Sequence, residues 1–251
     1  MDLKTFFTEN PRFAIAFSGG VDSSYLLHAA KMFGCDIKAY FVKSLLQPQF
    51  ELDDAAKLAY MLSVPMTIEM VDILSNTDVA QNPADRCYHC KKALFSRIQA
   101  LAHADGYDLV CDGTNATDDI NERAGMRALT ELGIRSPLRE CGVTRKNIRK
   151  LSCEAGLFTH DKPSYSCLAT RIPTGTALTE DLISNVAQAE HAMHAIGFAD
   201  FRIRYFSGAA RIQIPEGQFK SVIDRRKKIL EAVSPYFDAV LLDVAPRKTE
   251  V

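Results

Sequence analysis

No run of about 18 apolar residues, the length a bilayer-spanning helix needs, interrupts the 251 residues, which excludes a helical membrane protein. The opening stretch "MDLKTFFTENPRF" lacks a basic segment followed by a long apolar one, so no secretory leader is expected. Positive charge is not in excess either. The net charge is −1, which argues against a long nucleic acid as partner. An even cysteine framework is missing, because the count is seven; ligand or reactive thiols fit better than disulfides. Internal repeats and low-complexity tracts are absent. With 24% charged and 47% hydrophobic residues, what remains reads as a soluble cytoplasmic protein.

What is present is alternation. "FAIAF" (13–17) precedes a helical pattern that stops at Gly34. "IKAYFV", a helix near 51–63, "MTIEMV", a helix near 91–104, "YDLVCD", a helix near 119–132 and "IRSPL" follow. Such a rhythm predicts an α/β domain with a parallel sheet, helices on both faces and sites at the carboxyl ends of strands. Thr144 is placed to cap one more helix ending at Gly156. Beyond residue 172 a helix (179–196), two adjacent strands "DFRIRYF" and "ARIQI", a helix near 216–232 and "DAVLLDV" suggest a smaller α+β domain. The linker "RIPTGTALT" marks the boundary, giving domains 1–172 and 173–251.

"AFSGGVDSS" (16–24) lies where the first strand hands over to the first helix. Gly19 and Gly20 carry no Cβ, so backbone N–H groups there can close around an anion, and the helix start adds its positive end. Ser18 and Ser23 can donate to phosphate oxygens, and Asp22 can hold Mg²⁺. The pattern is not Gly-x₄-Gly-Lys. It resembles the PP-loop of the ATP pyrophosphatases, which split ATP between its α and β phosphates.

"DRCYHCKKALF" spaces Cys87 and Cys90 by two residues just before a helix, and "KPSYSCLATR" adds Cys167. Three thiolates without an obvious fourth ligand suit a 4Fe–4S cluster with one open iron better than a closed zinc site. Core packing is expected for Cys35, Cys111, Cys141 and Cys153. "CDGTNATDD" puts Asp112, Gly113, Thr114 and Asn115 at the ligand edge of the sheet, or else in a plain Asp-Gly turn. In "FRIRYF" strand alternation sets Arg202 and Arg204 on one face, with Arg211 and Gln213 able to join them across the hairpin. Paired guanidiniums suit a phosphate; a solvated sheet face is the alternative.

Together, "AFSGGVDSSYLL", "DRCYHCKKALF", "DGTN", "IRSPLREC", "KPSYSCLATRIPTG", "AEHAMHAIGF" and "FRIRYF…ARIQI" resemble the LarE sulfur transferases of nickel-pincer cofactor synthesis. The resemblance implies a cytoplasmic enzyme that is a hexamer or other homo-oligomer. It would use ATP and Mg²⁺ to adenylate the carboxylates of pyridinium-3,5-biscarboxylic acid mononucleotide and convert them to thiocarboxylates. Ser18, Gly19, Gly20, Asp22 and Ser23 would hold phosphates and metal, joined by Gly113 and Thr114. Lys91 would neutralise charge near the adenylate or pyrophosphate, Arg123 would lie near the nucleotide, and Arg202 and Arg204 would take the substrate phosphate. Cysteine at all three positions implies the branch in which Cys87, Cys90 and Cys167 hold a 4Fe–4S cluster carrying sulfide; the other branch sacrifices the sulfur of Cys167. Thr117, Asn121, Ala124 and Gln213 depart from the residues usual in the family. A tRNA thiolase or amide-forming ligase of the same superfamily, and a nucleotide sensor without catalysis, are the rival readings.

Overall fold

The computed structural model describes residues 1–118 and 124–247. In chain order the elements are α1 (Leu3–Glu9), β1 (Arg12–Ala16), α2 (Val21–Met32), β2 (Asp36–Lys43), α3 (Gln49–Met61), β3 (Met66–Met70), α4 (Thr77–Ala80), α5 (Arg86–Ala104), β4 (Val110–Cys111), α6 (Ala124–Glu131), α7 (Pro137–Glu140), α8 (Arg145–Glu154), α9 (Glu180–Ala195), β5 (Arg202–Phe206), β6 (Ala209–Gln213), α10 (Phe219–Asp224), α11 (Arg226–Val233) and β7 (Ala239–Leu242). The chain divides into two compact units: Met1–Ile73 with Asp85–Lys162, and Leu74–Ala84 with Pro163–Val251.

In the first unit the strands run parallel in the order β3-β2-β1-β4. The expected α/β class is what the structure shows. Side chains alternate along β1: Phe13 and Ile15 enter a core with Phe6, Phe7, Leu26, Leu27 and Leu58, whereas Ala14 and Ala16 face Tyr40, Ile98, Met126 and Leu129. Because β2 leaves β1 on one side and β4 arrives on the other, strand order reverses between β1 and β4. That is where an open parallel sheet forms its ligand crevice.

Three local expectations change. "IRSPL" is no strand: Arg135 makes a single bridge to Cys111, and Pro137 opens the short helix α7, where its fixed φ and missing N–H suit the first turn. Helix α5 begins at Arg86, so Cys87 and Cys90 lie inside its first turns rather than ahead of it. The helix near 216–232 is a 3₁₀ turn followed by two short helices. Thr144 caps α8 as expected, its hydroxyl accepting from the Asn147 N–H at 3.3 Å.

The second unit carries a mixed sheet, β5-β6-β7, with β5 and β6 antiparallel and β6 and β7 parallel. Ser207 and Gly208 both take positive φ, the requirement of a tight two-residue hairpin turn. The buried Asn82 ties the segment around α4 to this unit, its amide donating to the carbonyls of Pro173 and Thr176 at 2.9 and 3.0 Å.

Candidate functional site

At the crevice between β1 and β4, the Gly19–Gly20 turn lies against two other backbones. Gly19 has φ +71°, and a Cβ there would stand 2.8 Å from the Glu51 carbonyl of α3. Across the crevice, a Cβ on Gly113 would meet the Ser23 N–H nitrogen at 2.7 Å. Both glycines are therefore demanded by close approach, and the approach brings the β4 loop onto the first turn of α2.

Gly20 precedes α2 without any side-chain cap, leaving the helix start open to an anion. The Ser18 and Ser23 hydroxyls lie 3.1 Å apart, and Ser23 donates to the Gly20 carbonyl. Asp22 Oδ2 accepts from the Asn115 amide at 3.0 Å and lies 3.8 Å from Arg145. Its Oδ1 is buried and has no hydrogen-bond partner among the described residues. Burial pushes this carboxyl above its ordinary range, against the opposing pull of Asn115 and Arg145. An orphaned carboxylate oxygen beside a phosphate-shaped turn fits a hard divalent cation.

The β4 loop is held from within. Asp112 accepts from Ser136, from the Thr114 hydroxyl and from the Thr114 N–H; Asp118 accepts from the Asn115 N–H and, at 3.2 Å, from Arg145. Gly113 thus lies against Ser23, and Thr114 is held beside it by Asp112. Arg123 and Asn121 lie outside the described residues.

Several residues of this crevice escaped sequence reasoning. Lys162 pairs with Asp54 at 2.6 Å and donates to the Gly19 carbonyl at 3.3 Å. Arg149 fixes the approach to it, donating to the carbonyls of His160 and Lys162. Arg145 had no local signature, whereas Asp118 and Lys162 fall inside quoted stretches without having been singled out there. Lys162 opens the quoted "KPSYSC" stretch, where its charge next to a rigid proline was the one hint available.

On α5, Cys87 is exposed and Cys90 half-buried, three residues apart and so on one helix face; Lys91 follows Cys87 by one turn, its stem against Gly125 of α6. Neither thiol is in a disulfide. Their chemistry suits iron. Among the described residues, however, no three His, Cys, Asp or Glu side chains are gathered to hold a metal ion. Of the other cysteines, Cys111 is fully buried and Cys35 and Cys141 pack against the core. Cys153 is exposed, contrary to expectation, because α8 buries the face of Ile148 and Ser152.

In the second unit, Cys167 is half-buried immediately before the 3₁₀ turn Leu168–Arg171. Register sets Arg202 opposite Gln213 and Arg204 opposite Arg211, so the expected basic face is formed. Its partners are protein groups. Arg202 donates to the carbonyls of Phe201 and Ser164, and Arg204 to Gln213 and to the Thr170 carbonyl. Arg171, 1% exposed, forms a two-pronged pair with the buried Glu190, which also accepts from the Tyr165 hydroxyl and the Ile203 N–H. Burial first, then the like charges of Arg171 and Arg247, push the Arg202 guanidinium down to about 10.

No family model matches the chain. It is 34% identical over 238 residues to the pyridinium-3,5-bisthiocarboxylic acid mononucleotide synthase of Lactiplantibacillus plantarum, spanning 93% of this chain and 86% of that protein. An uncharacterised protein of Synechocystis is 35% identical over 88% of this chain and 83% of its own length. Another, from Methanocaldococcus jannaschii, is 25% identical over 91% of this chain and 87% of its own length.

Proposed function

The chain belongs to the LarE family, that of the pyridinium-3,5-bisthiocarboxylic acid mononucleotide synthase, and on that premise we propose that it is an ATP-dependent sulfur transferase. Its substrate is pyridinium-3,5-biscarboxylic acid mononucleotide, whose carboxylates it adenylates and converts to thiocarboxylates. The observation that carries this reading is the buried, unpartnered Asp22 oxygen beside the open start of α2, at the point where strand order reverses.

The chemistry follows from charge and position. The N–H groups of the Gly19–Gly20 turn and of the first turn of α2, with the Ser18 and Ser23 hydroxyls, hold the phosphates so that the α-phosphorus faces the substrate carboxylate. That carboxylate is ionised near neutral pH and needs no general base. Its oxygen bonds to phosphorus as the bond to pyrophosphate breaks. Asp22 would hold Mg²⁺, which neutralises the departing pyrophosphate when bound, and Lys91 adds a fixed positive charge. A sulfide-level sulfur then attacks the activated carbonyl carbon as the bond to AMP breaks. Where that sulfur is Cys167's own, the resulting thioester loses the Cα proton and its Cβ–S bond breaks, leaving the thiocarboxylate on the substrate and dehydroalanine in place of Cys167. Arg202 and Arg204 take the substrate phosphate.

Cys87, Cys90 and Cys167 are the thiols of the sulfur-delivery step. Loaded with a 4Fe–4S cluster, this set would supply a replaceable sulfide at an open iron. A second reading makes Cys167 itself the donor, consumed once per chain; the thiol lies in a loop fastened by Arg171, Arg202 and Arg204. One experiment tests both. Anaerobically purified protein is given ATP and the dicarboxylated mononucleotide, and AMP, pyrophosphate, thiolated product and protein-bound iron are measured. Repeated turnover with bound iron supports the cluster. One product per chain, with loss of the elements of H₂S from Cys167, supports sacrifice. Failure to form AMP and pyrophosphate overturns the adenylation step itself.

A further inference from the structure

The loop that carries Cys167 is held at both ends by the two arginines expected to bind the substrate phosphate. Arg202 donates to the Ser164 carbonyl at 2.8 Å, on one side of the thiol, and Arg204 to the Thr170 carbonyl at 2.6 Å, on the other. Between these ends the loop is fastened again. Arg171 donates to the Ser166 carbonyl and hydroxyl, and Thr170 donates through both N–H and hydroxyl to the Cys167 carbonyl at 3.0 and 2.8 Å. The Arg171 and Arg202 guanidinium carbons both lie over the Tyr165 ring, 4.8 and 5.2 Å from its centroid.

Each guanidinium carries five N–H donors. Arg202 commits two to the Phe201 and Ser164 carbonyls, and Arg204 two to Gln213 and the Thr170 carbonyl, which leaves three on each among the described residues. Gln213 in turn donates to Asp243 at 2.8 Å, so Arg204 is oriented from behind. The arrangement therefore leaves donors for a phosphate without releasing the loop. It also concentrates positive charge: Arg171, Arg202 and Arg204 all feel one buried carboxylate, Glu190, which among the described residues accepts from Arg171 alone of the three. A dianion is the group such a cluster lacks.

We propose that Arg202 and Arg204 are positioning residues for Cys167, and that a phosphate bound to their remaining N–H groups is thereby registered against the sulfur. This deepens the reading above and rests on it for the identity of the anion. The clamp on the loop does not: it is made by the protein alone. The device gives the two arginines a duty that persists without substrate, and it makes substrate binding tighten the loop. Both consequences differ from those of a simple phosphate site.

Hydrogen exchange of the amides of residues 164–170 in the full-length, anaerobically purified chain separates them. In phosphate-free buffer, Arg204→Lys keeps the charge but loses the fork, and Gln213→Leu keeps Arg204 but removes its support. Each is expected to speed exchange in the loop about tenfold, the equivalent of about 1.4 kcal/mol for a charge-assisted bond. Adding inorganic phosphate to the wild type at constant ionic strength is expected to slow exchange in the same segment. In turnover, Arg204→Lys should lower kcat more than it raises KM. Wild-type exchange in both variants without phosphate overturns the clamp, whatever phosphate does. A clamp intact in phosphate-free buffer, with no phosphate bound by calorimetry, overturns instead the assignment of the anion and with it the registration.

Discussion

The two units present hydrogen-bond donors in opposite ways. In the first, the donors are main-chain N–H groups and hydroxyls around Gly19, Gly20, Ser18 and Ser23, and the buried charge is negative, on Asp22. In the second, the donors are the side chains of Arg202 and Arg204, buried or half-buried against Arg171. Desolvation acts on both and pushes each toward neutrality: the Asp22 carboxyl rises above its ordinary range and the Arg202 guanidinium falls. The first arrangement suits a ligand that arrives with its own cation, the second a bare phosphate. One physical cost, removing charge from water, thus falls on opposite signs in the two units.

The comparison breaks most visibly at Asp22. Asp22→Asn should lower pyrophosphate release on the order of 10³-fold, the scale of losing a preorganised charge partner, and leave inorganic phosphate binding by the second unit unchanged. A variant that releases pyrophosphate at the wild-type rate ends the assignment of the crevice. Next is the carboxylate of the second unit. Glu190→Ala leaves Arg171 buried without its partner and should destabilise that unit by about 3–5 kcal/mol, read from its urea unfolding midpoint. A change confined to activity with no shift in the midpoint would show that the pair does not hold the fold.

Smaller effects sharpen the picture. Gly113→Ala drives a methyl into the Ser23 backbone and should cost about 1–3 kcal/mol, with weaker ATP binding by calorimetry. The smallest effect is the pH dependence of Asp22. Its folded value lies above the unfolded one, so its contribution to stability is complete below the ordinary carboxylate value of 3.8 and is lost as pH rises through the elevated one. Unfolding midpoints measured across this range should fall in the wild type relative to Asp22→Asn. Parallel curves would place Asp22 in ordinary solvent contact.

Much of the first unit was legible. β1 and β2 are apolar-rich runs, β3 alternates apolar and polar residues, and the glycine turn after β1 is contiguous in the chain, so pattern and chemistry coincided. "IRSPL" misled because its composition suits a strand while Pro137 begins a helix. The start of α5 was placed late because its first turn, "RCYHC", has no apolar periodicity. Lys162 lies 143 residues from Gly19, and Glu190 lies 19 from Arg171; no spacing rule links such pairs.

By itself, the sequence determined the alternation of strand and helix, the glycines that let backbone approach an anion, and the kinds of side chain offered to ligand and sulfur. Those are properties of neighbours along the chain, governed by local sterics and periodicity. Only the tertiary structure decided that one Asp22 oxygen is left unpartnered, and that Arg202 and Arg204 grip the two ends of the Cys167 loop. A hydrogen bond between residues distant in the chain exists only after packing has chosen which polar groups leave water together.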